Sequence, residues 1–175
     1  RWYQLSKIEA ESEALNFAKR SGLDVVTVCP SLVFGPILQP TKISVFLLLN
    51  RLLLIRMRYF SLLLPLNYPA GGNESIENKL SMLVDVRDVA EALLLAFEKP
   101  EAEGRYICLA HMINAKDLVD SLKSIHPNYN YPKNFCQVRD EKRLSSKKLQ
   151  RLGWSYRPLK ETLTDAIESY RNAGI

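Results

Sequence analysis

The spacing of apolar and polar positions divides the chain into alternating helices and strands. Residues 8–20 carry apolar side chains between charged ones and contain no proline, and Gly22 follows them. This pattern predicts a helix that ends near Gly22 and also includes the helical turn before Ile8. Short apolar runs at residues 25–29, 80–84 and 105–109 are typical of buried strands. The alternation predicts an α/β fold.

Further helices are predicted from near Ile43 and at residues 86–97, 115–125, 147–152 and 158–171. Their N-caps are predicted to be Asp85, Asn114, and Ser145 or Ser146. The apolar positions predict inward faces made of Val89, Ala90, Leu93, Leu94, Ala96 and Phe97, of Leu118, Val119 and Leu122, and of Leu163, Ala166, Ile167 and Tyr170. Residues 34–41 and 126–133 are predicted to be loops.

Composition and charge narrow the function classes. The 175 residues suit one globular domain, with 47% hydrophobic and 25% charged residues. The net charge of +5 is mild, and the small basic group at residues 142–151 follows Asp140 and Glu141. A nucleic-acid interface would need a denser basic face, so no nucleic-acid partner is expected.

The cysteines and histidines give no sign of a metal site or a disulfide framework. Three cysteines, at positions 29, 108 and 136, are widely spaced and odd in number, and no C-x-x-C occurs. We expect all three to be buried reduced thiols, which suits a cytoplasmic protein. The two histidines lack partners at metal-ligand spacing, and no signal peptide opens the sequence.

Residues 51–69 are apolar and basic without a clear period. Arg51, Arg56 and Arg58 interrupt the apolar run, and Pro65 would break a helix. A membrane-spanning helix needs about 20 mostly apolar residues, so membrane contact is not favoured. A buried helix with an irregular tail, or a disordered insertion, is the preferred interpretation.

The candidate chemistry lies at the start of the first helix. Tyr3 and Lys7 are four residues apart, which places both side chains on one helix face. An ammonium group beside a phenol favours the charged phenolate, and such a tyrosine can exchange a proton with a substrate carbonyl oxygen. The alternative interpretation is structural, with an aromatic residue at a helix start and a solvated lysine one turn later.

The first predicted strand ends at Pro30. In open α/β sheets, ligands bind beyond the carboxyl ends of the strands. Residues 30–33 would therefore lie at a ligand-binding edge, although a proline can also act simply as a strand terminator.

Several motifs, in order and spacing, resemble those of a known family. They are Trp2-Tyr3-x-x-x-Lys7, residues 29–36 (CPSLVFGP), 38–41 (LQPT), 84–90 (VDVRDVA), 104–106 (GRY), 144–149 (LSSKKL) and 152–154 (LGW). Over nearly its whole length the chain resembles the C-terminal part of an extended short-chain dehydrogenase/reductase, of the plant branch that holds cinnamoyl-CoA reductases and dihydroflavonol 4-reductases.

The resemblance implies a fold and a set of roles. It implies the C-terminal portion of a Rossmann-type NAD(P)-binding fold, with residues 1–34 as the last part of the dinucleotide-binding domain and residues 35–175 mainly as the substrate-binding lobe. Tyr3 would be the proton donor, and Lys7 would also bind the nicotinamide ribose. Pro30, Ser31, Leu32 and Val33 would line the nicotinamide, and Ser44 would touch the cofactor again. The implied cofactor is NADPH, and the implied substrate is a small aromatic carbonyl compound or acyl-CoA thioester.

The chain also departs from the family pattern. The glycine-rich loop and the catalytic serine of the family would precede Arg1, and Ser6 stands at the wrong position to replace that serine. We therefore expect the chain to be weak or inactive alone. Cinnamoyl-CoA reductases read NWYCYGK where residues 1–7 read RWYQLSK, which favours a reductase-like relative over a strict cinnamoyl-CoA reductase. Residues 51–69 have no counterpart in the family; we interpret them as untypical sequence, such as a translated intron.

Two further interpretations stay open. The chain could be a non-catalytic binding or regulatory fragment that pairs with another chain, or a nucleotide-sugar epimerase of the same fold. The run at residues 38–41 argues against the epimerase. The sequence makes no prediction about the oligomeric state.

Overall fold

The structure is a computed structural model that describes residues 2–38, 76–128, 131–138 and 143–173. The predicted helix from Ile43, the segment 51–69 and the predicted cofactor contact Ser44 lie outside the described residues. The intron interpretation of residues 51–69 therefore stays a prediction.

Helices and strands alternate, as the sequence predicts. In chain order they are α1 (Trp2–Ser21), β1 (Thr27–Pro30), β2 (Leu32–Phe34), β3 (Ile76–Glu77), β4 (Leu80–Asp85), α2 (Val86–Glu98), β5 (Arg105–Cys108), β6 (His111–Asn114), α3 (Ala115–Ile125), β7 (Phe135–Cys136), α4 (Lys147–Arg151) and α5 (Leu159–Asn172). The prediction of an α/β fold is confirmed.

The strands form three small sheets. β1 pairs in parallel with β5, with Val28 opposite Tyr106. β4 lies between β2, which is parallel to it, and β6, which is antiparallel. β3 and β7 form a short parallel pair. Among the described strands, none pairs with the second edge of β1.

Helices cover both faces of the β1–β5 sheet. Thr27 and Cys29 of β1 contact Glu11 of α1. Val28, which alternates with them, packs with Val26 in the cluster that contains Ala92 of α2. Because successive side chains of a strand point to opposite faces, α1 and α2 lie on opposite sides of the sheet.

Two hydrophobic clusters hold these layers together. The first joins the β2–β4–β6 sheet to α3 and α5 and consists of the buried residues Phe34, Leu83, Leu118, Val119, Leu122, Tyr131, Leu163, Ala166, Ile167 and Tyr170. The second joins the β1–β5 sheet to α2 and α4 and consists of Val84, Ala92, Ala102, Tyr106, Cys108, Leu149, Leu152 and Trp154. The predicted inward faces of α3 and α5 are thus confirmed.

The predicted inward face of α2 is confirmed for Val89 but wrong for most of its other members. Leu93, Leu94 and Phe97 are exposed, whereas Asp88 and Ala92 are the buried residues of this helix. Val89 and Leu95 pack partly against the second cluster. The sequence pattern was misread because α2 carries apolar side chains around most of its circumference.

The predicted N-cap at Asp85 is confirmed, since its carboxylate accepts from the Arg87 backbone N–H at 2.9 Å. Ser146 occupies the N-cap position of α4 without a capping bond from its side chain, while the hydroxyl of the preceding Ser145 accepts from the Lys147 N–H at 3.3 Å. The cap by the Asn114 side chain is wrong, since that side chain makes no capping bond. Asn78 serves α3 instead, and its Oδ1 accepts from the Lys116 N–H at 2.9 Å.

The cysteines only partly match the prediction. Cys108 is buried and Cys29 is half-buried, but Cys136 is exposed, so the expectation of three buried thiols is wrong for Cys136. Burial raises the pKa of the Cys108 thiol to about 12 and also raises that of Cys29. Both thiols therefore stay protonated near neutral pH, which makes them poor nucleophiles.

The predicted division of the chain at residue 34 stays a prediction. Strand β5, from the C-terminal side of that boundary, pairs with β1 from its N-terminal side, so the β1–β5 sheet draws on both parts. Within the ranges that the structure describes, no helix combines the length and apolar character needed to cross a bilayer.

Candidate active site

Tyr3 and Lys7 lie on one face of α1, as their spacing predicts. The Lys7 ammonium nitrogen is 5.5 Å from the centroid of the Tyr3 ring. Tyr3 is 73% exposed, and Lys7 is exposed as well. The phenol and the ammonium are thus close to each other and open to an incoming molecule.

Glu11 fixes the helix that carries this pair, although no residue of α1 is fully buried. Its carboxylate accepts from Arg105 Nε at 2.7 Å, from Arg105 Nη2, and from the Thr27 hydroxyl at 3.0 Å. The hydrogen bond from Arg105 lowers the pKa of Glu11, which keeps the carboxylate charged. Glu11 therefore ties α1 to both β1 and β5.

The direction of α1 places Tyr3 and Lys7 at the carboxyl end of β1. The short connection at residues 22–26 reverses the chain, so the helix runs antiparallel to the strand. Counted from Glu11, Lys7 lies about 6 Å and Tyr3 about 12 Å further along the helix axis, in the direction in which β1 ends. This is the edge at which α/β sheets bind ligands.

The predicted cofactor-lining residues connect two sheets at this edge. Pro30 ends β1 opposite Cys108, and the Ser31 N–H donates to the Cys108 carbonyl at 3.0 Å. Leu32 and Val33 then pair with β4. The Ser31 hydroxyl oxygen is buried and has no hydrogen-bond partner among the residues that the structure describes. An unpaired buried hydroxyl is costly, so this oxygen needs a partner from outside the described residues.

Gly35 follows this segment and packs against a buried carboxylate. Its φ is +121°, and a Cβ atom there would lie 2.9 Å from Val86 Cγ1 and 3.1 Å from Asp85 Oδ1. Asp85 accepts from Arg87 Nε at 3.0 Å and from Arg87 Nη2 at 2.8 Å. Burial alone would raise the pKa of Asp85, but the hydrogen bonds from Arg87 outweigh it and the pKa is lowered.

Helix α5 holds the same region from the other side. Arg87 Nη1 lies 2.7 Å from the Asp165 carboxylate, and the Ser169 hydroxyl accepts from the Ile37 N–H at 2.9 Å. The sequence interpretation missed Glu11, Ser169 and the packing of Gly35 on Asp85. The motifs at residues 29–36 and 84–90, which contain Gly35 and Asp85, were the sequence signals that pointed towards the last of these.

A second charged group joins the chain before α5 to α2. Asp88 is buried; its carboxylate accepts from the Arg157 backbone N–H at 2.9 Å and from the Arg157 guanidinium, which also contacts Glu91 at 2.9 Å. The indole N–H of Trp154 donates to the Asp88 carbonyl at 2.9 Å. None of these hydrogen bonds involves residues 30–37, although Val33 packs against the hydrophobic cluster that contains Trp154.

An open cavity of about 280 Å³ lies between α3 and α5. Its walls are formed by Ser121, Ser124, Ile125, Leu159 and Lys160. None of these is a predicted site residue. In the described parts of the chain, no group of three His, Cys, Asp or Glu side chains is arranged to hold a metal ion.

Comparison with known proteins decides the family. Residues 1–110 match the profile of the NAD dependent epimerase/dehydratase family. The chain belongs to this family. The matched part includes α1 with the Tyr3–Lys7 pair, the segment at residues 30–33 and all of α2 and β5.

The resemblance to the plant reductases is also confirmed. The chain is 33% identical over 177 residues to cinnamoyl-CoA reductase 1 of Petunia hybrida, covering 99% of this chain and 48% of the relative. It is 31% identical over 178 residues to dihydroflavonol 4-reductase of Zea mays, covering 99% of this chain and 46% of the relative. The chain thus spans about half the length of the relatives it matches.

Solved structures share the fold over a similar extent. Vestitone reductase from alfalfa matches with a TM-score of 0.74 at 21% identity, over 98% of this chain and 52% of that one. UDP-glucose 4-epimerase from Thermotoga maritima matches with a TM-score of 0.69 at 22% identity, over 99% and 54%. A yeast methylglyoxal/isovaleraldehyde reductase complexed with NADPH matches with a TM-score of 0.66 at 26% identity, over 94% and 53%. The predicted Rossmann-type fold class is confirmed.

Proposed function

We propose that the chain carries the proton-transfer and nicotinamide-lining part of an NADP-dependent oxidoreductase. The substrate class is a carbonyl or CH–OH compound, or an acyl-CoA thioester, of phenylpropanoid or flavonoid type. The observation that supports this most is the position of Tyr3 and Lys7 on one helix face at the carboxyl end of β1, the strand that ends at Pro30.

In this proposal Tyr3 transfers the proton. Its phenol donates to the substrate oxygen in reduction and accepts the proton in the reverse direction. The Lys7 ammonium, 5.5 Å from the Tyr3 ring, stabilises the phenolate that this transfer leaves behind. NADPH, when bound, supplies the hydride.

The residues at the edge suit such a cofactor. The buried Ser31 hydroxyl has no bond within the described structure and can bind a polar group of the cofactor. We propose that Pro30, Ser31, Leu32 and Val33 line the nicotinamide, that Lys7 also binds the ribose and that Ser44 makes a further contact. The yeast reductase of similar fold, which was solved with NADPH, supports the choice of cofactor.

We expect the 175-residue chain to have weak or no activity by itself. It spans about half of the related reductases, and hydride transfer requires a cofactor held in a fixed position. The activity of the family is therefore proposed for the chain together with the part of the fold that the relatives have in addition.

The proposal is tested by joining the chain to the segment of the petunia reductase that lies outside the aligned part. NADPH oxidation is followed with an aromatic acyl-CoA, a dihydroflavonol and a UDP-sugar as separate substrates. Oxidation with either aromatic substrate supports the proposal. A folded joined protein that binds NADPH but reduces none of them contradicts it.

An epimerase of the same fold is the second catalytic candidate. The matching family includes epimerases and dehydratases, and the Thermotoga maritima epimerase has a similar fold. This function would give isomerised UDP-sugar without net NADPH oxidation in the same assay. The product analysis of the UDP-sugar reaction therefore separates the two candidates.

A non-catalytic role is favoured by the unpaired side of the β1–β5 sheet. No described strand covers the second edge of β1. Trp2, Ile8 and Phe17 of α1 and Phe97 of α2 are exposed on the helices at either face of that sheet. If this surface binds another chain and does no chemistry, the joined protein will be inactive. In analytical sedimentation, the 175-residue chain will nevertheless form a complex with the separate petunia segment.

A further inference from the structure

We propose that Asp85, Arg87 and Ser169 are positioning residues that hold residues 31–37 in place, so that helix α5 sets the shape of the cofactor edge. This inference rests on the proposed function in one respect, because that function makes residues 30–33 the lining of the nicotinamide. The positioning itself is a property of the structure and can be measured without a cofactor.

The first contact is between Gly35 and Asp85. Phe34 pairs with Asp85 across β2 and β4, and Gly35 comes next with a φ of +121°. A Cβ atom at this position would lie 3.1 Å from Asp85 Oδ1, so the backbone of residue 35 packs directly on the carboxylate. The placement of this carboxylate therefore limits how far the chain can move after β2.

Arg87 fixes the carboxylate in turn. It donates to Asp85 through Nε at 3.0 Å and Nη2 at 2.8 Å, while its Nη1 lies 2.7 Å from Asp165. A planar guanidinium that binds one carboxylate through two bonds has little freedom of orientation. Arg87 thus connects Asp85, which packs against Gly35, to Asp165 of helix α5.

The second contact is between Ile37 and Ser169. The Ser169 hydroxyl accepts from the Ile37 N–H at 2.9 Å across 132 positions of sequence. Asp165 and Ser169 are four residues apart on α5, so one helix face holds both the Asp85–Arg87 pair and the end of the segment. Residues 31–37 are consequently fixed by β4 and by two contacts that lead to α5.

The chain offers a matched control for a purely structural effect. Asp88 lies three residues after Asp85, is equally buried and is likewise paired with an arginine, Arg157. The bonds of Asp88 itself go to Arg157 and Trp154 and not to residues 31–37; Arg157 and Arg87 both approach Glu161 of α5, but only at 3.6 Å and 3.9 Å. A change at Asp88 should therefore lower stability without acting on the cofactor edge.

Hydrogen exchange of backbone amides in the 175-residue chain tests the proposal. We expect Ser169→Ala to speed the exchange of the Gly35 and Ile37 amides about threefold to tenfold, the effect of losing one hydrogen bond of ordinary strength. Ser169→Thr keeps the acceptor and should restore the wild-type rate. Ser121→Ala removes a hydroxyl that bonds within α3 and should leave these amides unchanged.

Asp85→Asn and Asp88→Asn are compared in the same measurement. The temperature for each variant is chosen to lie the same number of degrees below the midpoint of its thermal unfolding. Asp85→Asn should speed exchange in residues 33–37, and Asp88→Asn should speed it near residues 154–158 only. Exchange in residues 33–37 that is the same for Asp85→Asn and Asp88→Asn, together with no local effect of Ser169→Ala, would overturn the proposal.

Addition of millimolar NADPH to the wild-type chain gives a separate readout. Protection of residues 31–33 by the nucleotide supports the proposed function. Lack of protection counts against nucleotide binding by this chain. The roles of Asp85, Arg87 and Ser169 are then judged from the hydrogen exchange measured without NADPH. The failure of the two claims is thus distinguishable.

Discussion

At the level of single residues, Glu11 connects the candidate chemistry to the rest of the fold. The Tyr3–Lys7 pair lies on a helix without a fully buried side chain. The hydrogen bonds that Glu11 accepts from Arg105 and Thr27 therefore hold this helix against the sheet within the described part of the chain. Because these hydrogen bonds need the charged carboxylate of Glu11, the attachment of α1 to the sheet depends on pH.

The first prediction concerns Glu11→Gln and pH. The pKa of Glu11 is lowered in the folded protein, so its stabilising effect is complete above the ordinary glutamate value of 4.5 and is lost as the pH falls through the folded value. The urea midpoint of Glu11→Gln should therefore fall below that of the wild type at neutral pH, and the difference should close on acidification.

The exposed Glu13, two residues further along the same helix, is the control. Glu13→Gln should follow the wild-type midpoint throughout the titration. A difference between wild type and Glu11→Gln that is the same at all pH values would show that charge is not what anchors α1.

The Tyr3–Lys7 pair was predictable from the sequence because helical spacing alone brings the two side chains together. Glu11 and Arg105 are 94 positions apart, and Ile37 and Ser169 are 132 apart. No local pattern connects such residues. A glutamate between apolar positions on a predicted helix looks like any solvated charge until the neighbouring strand is in place.

At the level of elements, α2 shows most clearly that tertiary packing, and not the apolar sequence pattern, decides which face of a helix is buried. Leu93, Leu94 and Phe97 would form a good apolar face, but the helix turns Asp88 and Ala92 inward. The bonds of the Asp88 carboxylate to Arg157 and of its carbonyl to Trp154 fix this rotation.

The second prediction tests that rotation. Ala92 is fully buried, and Ala90 on the same helix is exposed. Ala92→Leu should cost about 1–3 kcal/mol of the free energy of unfolding, because the added methylene groups have no space. Ala90→Leu should change it by less than about 0.5 kcal/mol. Equal effects in urea unfolding would contradict the buried face described for α2.

The third prediction concerns the start of α3. The Asn78 side chain accepts from the Lys116 N–H, whereas Asn114 occupies the N-cap position without a capping bond from its side chain. Asn78→Ala should therefore destabilise the protein by about 1 kcal/mol, the usual value of an N-cap bond. Asn114→Ala is the matched variant and should cost clearly less in the same urea titration. A larger loss of stability for Asn114→Ala than for Asn78→Ala would contradict this description and support Asn114 as the capping side chain.

The short strands β2, β3, β6 and β7 could not be predicted. Each has four residues or fewer and, unlike the equally short β1 and β5, does not lie in a longer apolar run, so the sequence shows no strand pattern there. Ile76–Glu77 pairs with Phe135–Cys136 only because the intervening elements bring them together. The longer strand β4 and the helices α3 and α5 were predictable, since their apolar periods cover their full length and match what is buried.

At the level of the whole molecule, the chain spans about half the length of its reductase relatives, and the β1–β5 sheet has one edge that no described strand covers. The Tyr3–Lys7 pair and residues 30–33 both lie towards the carboxyl end of β1. We therefore propose that this chain carries out proton transfer and that most cofactor binding belongs to the part of the fold that the relatives have in addition.

The most direct test of this account is the turnover of a Tyr3→Phe variant of the chain joined to the petunia segment. Loss of a general acid–base residue should lower kcat about 100- to 10,000-fold while NADPH binding, followed by fluorescence, stays close to that of the parent. Trp2→Phe changes the neighbouring exposed aromatic residue and is the control, with kcat expected near the parent value. A Tyr3→Phe variant that turns over an aromatic substrate as fast as Trp2→Phe would contradict the assignment of proton transfer to Tyr3.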